Sequence, residues 1–189
     1  MFPLQLDCPK DAAPRQDWSA HLTTRTGFTF AVRRVEPDDE AALAQFFARV
    51  DPDDLRFRFL SSAVKLTPAQ LASMTRVDHV LSEHFLALDP ADGRIIASAM
   101  LGADSAQKTA EVAIAVDGDH RAQGIGWVML KHAARFAKAH GISTLQSIEN
   151  RDNHAAIDLE REMGFTAKPY PDDPTLMLVE ADLTCATCF

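Results

Sequence analysis

The sequence predicts an α+β fold, with one mainly antiparallel mixed β-sheet of about six or seven strands and helices on both of its faces. Three observations carry this expectation. Short runs of alternating apolar and polar residues recur along the chain with turn residues between them. Amphipathic stretches with helix-start signals fall between several of those runs. One glycine-bearing loop, "DHRAQGIGWVML" from Asp119 to Leu130, runs straight into an apolar helical segment.

Residues 1–26 mix Pro, Asp, Arg and Thr with little periodicity and read as a loosely structured arm. The ordered domain is expected over 27–184, with 185–189 as a tail. "GFTFAVRRV" opens it as a half-buried strand, because Phe28, Phe30 and Val32 alternate with smaller or polar residues. A helix follows, begun by Asp38 and Asp39 and striped by Leu43, Phe46, Phe47 and Val50. "DPDDLRFRFLSS" fits either period; its acidic start and Pro52 favour a helical turn. "LTPAQLASMTRV" is a second helix start, with Thr67 as N-cap, Pro68 at the first helical position and Gln70 completing a capping box.

"HFLALDPADGRIIASAML" reads as a hairpin turning at Asp89, Pro90, Asp92 and Gly93, and "AEVAIAV" adds a third antiparallel strand. The helix after the glycine loop carries Ile125, Val128, Met129, Ala133, Phe136 and Ala137 on one side, and Gly141 stops it. "STLQSIE", "DNHAAIDLEREM" stopped by Gly164, and "TLMLVEADL" then give strand, helix and strand.

Charge and cysteine usage narrow the function. A net charge of −8 argues against nucleic acid as a ligand and suits a cationic substrate. The opening "MFPLQLDCPK" lacks a basic region followed by an apolar run, and no stretch approaches the roughly 18 apolar residues of a membrane span. A cytoplasmic protein without membrane association is expected. Cys8, Cys185 and Cys188 are too few for a disulfide framework, and the terminal C-x-x-C pair lacks a second ligand pair, so no metal site is expected.

A glycine loop feeding a helix suits an anion, since unpaired N–H groups and the positive dipole end face it there; it also suits a plain turn. Two common nucleotide loops do not match. G-x-G-x-x-G needs a third glycine where Met129 stands, and no Gly-Lys-Ser or Gly-Lys-Thr ending is present.

The order that does match is "AEVAIAV", then "RAQGIG" from Arg121 to Gly126, an amphipathic helix, a strand, and "NHAAIDLEREMGF" from Asn153 to Phe165. In this order the chain resembles the GNAT superfamily of acyl-CoA-dependent N-acetyltransferases. Upstream, "DPDDLRFRFLSS", "LTPAQLASMTRVD" and "LALDPADGRIIASAML" resemble the acetyltransferase domain of bacterial protein lysine acetyltransferases, so the likeness runs from Phe28 to Leu183.

The resemblance implies the GNAT fold and acetyl-CoA as co-substrate. Its pyrophosphate would rest on the amides of Arg121, Ala122, Gln123, Gly124, Ile125, Gly126 and Trp127. Backbone groups of Ile114, Ala115 and Val116 would pair with the pantetheine arm, and Asn153 would help hold it; Asn153 is equally suited to cap a helix. An acceptor amine must be neutral to attack, and a lysine ammonium has a pKa of about 10.4, so a base is needed. The resemblance gives that role to Glu111, which shares a strand face with Ala113 and Ala115; as a bare residue it also reads as a surface carboxylate. Asp117, Asp119 and His120 read as solvated turn residues.

Two positions depart from the family. Glu160 stands where many members carry a tyrosine that protonates the leaving thiolate, and Tyr170 lies beyond that helix in a proline-flanked loop. Trp127 is bulky where a small residue is common, and either covers the cofactor or packs on the surface. The expected acceptor is a protein lysine. A small amine, polyamine or antibiotic acceptor is the alternative, as is a CoA-binding regulatory module without turnover. Either way the chain is expected to act as a monomer or homodimer.

Overall fold

The computed structural model describes residues 17–60 and 66–185. Cys8, Cys188 and most of the expected N-terminal arm lie outside the described residues. Alternation of side chains on extended backbone builds one eight-stranded sheet: β1 (Ala20–Thr23), β2 (Thr29–Arg34), β3 (Ser82–Leu88), β4 (Ile95–Ala103), β5 (Thr109–Val116), β6 (Thr144–Asn150), β7 (Thr166–Tyr170) and β8 (Asp173–Asp182). Their spatial order is β1-β2-β3-β4-β5-β6-β8-β7. Every neighbouring pair is antiparallel except β5 with β6. The mixed, mainly antiparallel sheet is therefore as expected, with eight strands against about six or seven, because two short outer strands add to the six identified in the sequence.

Those two strands were hidden for physical reasons. β1 is only four residues long, so the alternation of Ala20 and Leu22 with His21 and Thr23 is too brief to stand out from the arm. It pairs with β2 through Ala20↔Val32 and Leu22↔Phe30, which brings ordered sheet into the stretch assigned to the arm. β7 contains Pro169, which fits an outer strand because only one of its edges needs donors. Tyr170 ends that strand instead of lying in a loop.

The helices divide between the faces. On one face α1 (Glu40–Phe47), α2 (Pro52–Phe59) and α3 (Pro68–Thr75) close over Leu43, Phe46, Phe47, Leu55, Leu86 and Ala115. On the other, α4 (Ile125–Ala139) and α5 (His154–Glu162) pack with Phe85, Val112, Met129, Ala133, Leu145 and Ile157. The ambiguous Pro52 segment is helical because Asp51 caps it, accepting from the Asp53 amide at 2.9 Å. Thr67 and Gln70 make the expected capping box at the head of α3. No helix among the described residues is long and apolar enough to cross a membrane.

The feature that positions the site is the junction of β5 and β6. Their parallel pairing covers only Thr109↔Thr144, Ala110↔Leu145 and Glu111↔Gln146, after which the strands part. Meanwhile β5 stays paired to β4 as far as Val116, and β6 stays paired to β8 as far as Asn150. A wedge therefore opens within the sheet, with one unpaired backbone edge on each wall.

Candidate active site

Glu111 lies at the vertex of this wedge, as the last residue of β5 paired to β6, and it is exposed. Val112 to Val116 continue up one wall, so Ile114, Ala115 and Val116 present a backbone edge that lacks a β6 partner. An extended ligand with amide groups can complete such an edge as a further strand would.

Above the wedge the chain turns into α4. Ala122 (φ 59°) and Gly124 (φ 82°) both adopt left-handed backbone, which costs an alanine more than a glycine. Gly124 is the N-cap of α4, and no side chain caps this helix end. The first intrahelical bond is Val128 N–H to Gly124 O at 3.2 Å, so the amides of Ile125, Gly126 and Trp127 precede the ladder. An uncapped start on a 15-residue helix is suited to an anion, and the dipole adds roughly 0.3–1 kcal/mol per favourable charge contact. These features fit a pyrophosphate-bearing, pantetheine-armed ligand.

The loop is held from several directions. Thr26 Oγ1 donates to Gln123 O at 3.1 Å, which ties the β1–β2 turn to the loop. Arg121 directs its guanidinium to Asp51 (3.3 Å) and Asp54 (2.5 Å) at the head of α2, so its side chain already has carboxylate partners. Asp117 and His120 depart from the expected solvated turn, being 0% and 7% exposed. Arg49 Nε donates to Asp117 at 2.7 Å, and His120 Nε2 lies 3.3 Å from Asp89. Burial opposes the charge on Asp117, yet Arg49 and the Asp119 amide hold its carboxyl below its ordinary value. These groups anchor the loop to the segment after α1 and to the β3–β4 turn. Asp119 is exposed, as expected.

Trp127 is half-buried against the core and has two cations near its ring, Arg25 Cζ at 4.4 Å and Lys131 Nζ at 5.2 Å from the centroid. It therefore combines packing with a cationic surface beside the loop.

On the opposite wall, Asn153 does cap α5, accepting weakly from Ala156 N at 3.4 Å. Its Nδ2 donates to Glu149 Oε2 on β6 at 2.7 Å. Glu149 is half-buried, and burial pushes it up to about 7, with nearby Glu111 adding and with Asn153 and Arg58 opposing. Glu160 is 4% exposed and accepts from Ser147 Oγ at 2.5 Å; burial, with Glu149 adding, pushes it up to about 8. Arg58 of α2 sits near both Glu111 and Glu149, and burial pushes its guanidinium down to about 10 against their charges. Glu149 and Arg58 went unnoticed in the sequence because they reach the wedge from β6 and α2, far from the loop in the chain.

A sheet parted around an open strand edge, with an anion-ready helix start above and a carboxylate at the vertex, suits an extended anionic ligand. The acetyltransferase (GNAT) family model matches residues 45–165, more than half of the chain, and the chain belongs to that family. An acetyltransferase of Pseudomonas aeruginosa is 27% identical over 149 residues, which span 78% of this chain and 80% of that protein. The GNAT domain of S. lividans PAT superposes with a TM-score of 0.80 at 25% identity, over 87% of this chain and 97% of that one. YncA, a putative acetyltransferase from Salmonella typhimurium solved with its cofactor acetyl-CoA, matches with a TM-score of 0.65 over 82% of this chain and 94% of that one. At its 18% identity that likeness is one of fold. The protein is thus an acetyltransferase that uses acetyl-CoA.

Proposed function

We propose that the acceptor is a protein lysine, and that the acetyl group passes directly from acetyl-CoA to its amine in a ternary complex. The observation that carries this reading is the likeness to the GNAT domain of S. lividans PAT, which extends over 87% of the chain. The exposed position of Glu111 at the wedge vertex supports it, because a side chain presented by another protein can approach from outside. A net charge of −8 favours a cationic acceptor. We place the reaction in the cytoplasm.

In this reading Glu111 accepts the proton that the amine must lose, directly or through water. The edge of Ile114, Ala115 and Val116 aligns the pantetheine arm. Backbone amides from Arg121 to Trp127 hold the pyrophosphate, with Arg121 contributing main chain because its guanidinium is engaged by Asp51 and Asp54. Asn153 positions the β6 wall through Glu149 and lies within the same mouth.

The test is CoA release from acetyl-CoA over a panel of lysine-bearing proteins, polyamines and aminoglycosides, with mass spectrometry of the products. Nε-acetyl-lysine on proteins, with slower turnover of the small amines, is the expected result. Turnover of a small amine with no protein acetylated would overturn the acceptor assignment.

A further inference from the structure

Acetyl transfer needs two proton movements, and the mechanism above uses one. The amine loses a proton to Glu111, and the sulfur that takes the electron pair of the broken C–S bond must gain one. Tyr170, the single tyrosine, stands at the end of β7, which β8 separates from β6. Glu160 is sealed at 4% exposure and bonded inward to Ser147. The β6 wall carries one other carboxyl group. Glu149 stands three residues beyond the Gln146 partner of Glu111, roughly 10 Å along the strand, and this odd offset turns it to the α5 face, so the two carboxyl groups flank the wedge from opposite faces of the sheet.

We infer that Glu149 is the proton donor to the departing CoA sulfur, a second catalytic carboxyl group on the β6 wall that reaches the wedge from the sheet face opposite Glu111. The inference rests on the acetyltransferase reading. Glu149 Oε2 is fixed by Asn153 Nδ2, while Oε1 takes no side-chain hydrogen bond among the described residues. The charged or titratable groups acting on it are Arg58 from α2, Glu111 from β5 and Glu160 from α5. Arg58 Nε is itself buried without a hydrogen-bond partner among the described residues, so this part of the wedge keeps polar capacity for a ligand. Burial holds Glu149 near 7, so it carries a proton in part of the population at neutral pH and can be reloaded from water. In the balanced step the amine N–C bond forms and the C–S bond breaks. One proton leaves the amine for Glu111, one leaves Glu149 for sulfur, and proton exchange with solvent restores both carboxyl groups.

The decisive comparison uses the whole protein, hydroxylamine as a small neutral acceptor, and two donors: acetyl-CoA and its selenoester analogue, whose selenol departs without a proton. Glu149→Gln keeps the volume and the Asn153 contact, and CoA binding by calorimetry verifies its fold. It is expected to slow the thioester reaction by about 10²-fold and the selenoester reaction by less than about tenfold. Glu149→Asp, which retains a proton, should recover part of the thioester rate, and Glu160→Gln should treat both donors alike. Equal losses of Glu149→Gln on both donors would overturn the assignment, as would a donor-dependent loss in Glu160→Gln. A wild-type protein that releases no CoA with any acceptor overturns the acetyltransferase reading and this inference together.

Discussion

Glu160 shows how burial alone sets the state of a single side chain. Its carboxyl group lies behind β6 with Oε1 on Ser147 and with Oε2 buried without a partner among the described residues. An ionised carboxylate there would lack the hydrogen bonds that offset desolvation, so the group stays protonated up to about 8. The sign of the stability effect follows. The folded chain holds a proton that the unfolded chain releases above about 4.3, so the contribution is fully present below that pH and is lost as pH rises through about 8. Glu160→Gln should come close to the wild type near pH 5 and exceed its stability by an amount on the order of 4 kcal/mol at pH 9, since the carboxyl group rises from about 4.5 to about 8 and each pKa unit corresponds to about 1.4 kcal/mol. Urea unfolding at the two pH values checks this; equal stability differences at both would show that the carboxyl group is ionised in the fold. His84 works in the opposite direction. It is buried, donates Nδ1–H to Met74 O and accepts from Ser98 Oγ, each at 2.7 Å, and burial pushes it down to about 4.

At the scale of elements, the start of α4 is where sequence and structure correspond most directly. "RAQGIG" was legible because its determinants are local: backbone that favours glycine, absence of a capping side chain, and an apolar stripe one turn on. The two glycines nevertheless act differently. Gly124 has φ 82°, so Gly124→Ala is strained by roughly 1–2 kcal/mol. Gly126 has ordinary backbone, and an added Cβ would meet Leu159 and Val116 at 3.7 Å, an ordinary contact. Gly126→Ala should therefore leave thermal stability unchanged or slightly raised, while weakening CoA binding by about tenfold, near 1.4 kcal/mol, if the pyrophosphate approaches this backbone as proposed. Calorimetric titration with CoA beside a melting curve separates the two effects. Undiminished affinity in Gly126→Ala would show that the ligand does not approach this backbone.

For the whole molecule, the wedge arises because β5 and β6 are each committed to another neighbour after three shared residue pairs. Strand periodicity identifies such strands but says nothing about where a pairing ends, so the open backbone edge of Ile114, Ala115 and Val116 was expected only through the family resemblance. Glu111 was found in the same way. Glu149 and Arg58 were not found, since an acidic residue closing a strand and an arginine in a short helix look like surface residues until the fold brings them together. The burial of Asp117 and His120 was missed for a similar reason: their partners Arg49 and Asp89 belong to other elements. The central claim is that Glu111, at the vertex, is the base for an amine attacking a donor held in the wedge. Its most direct test compares Glu111→Gln with the wild type, measuring CoA affinity and the pH dependence of kcat with the acceptor that the panel identifies. The account predicts affinity within about twofold and a kcat lower by about 10²–10⁴-fold; full activity across pH in Glu111→Gln would contradict it.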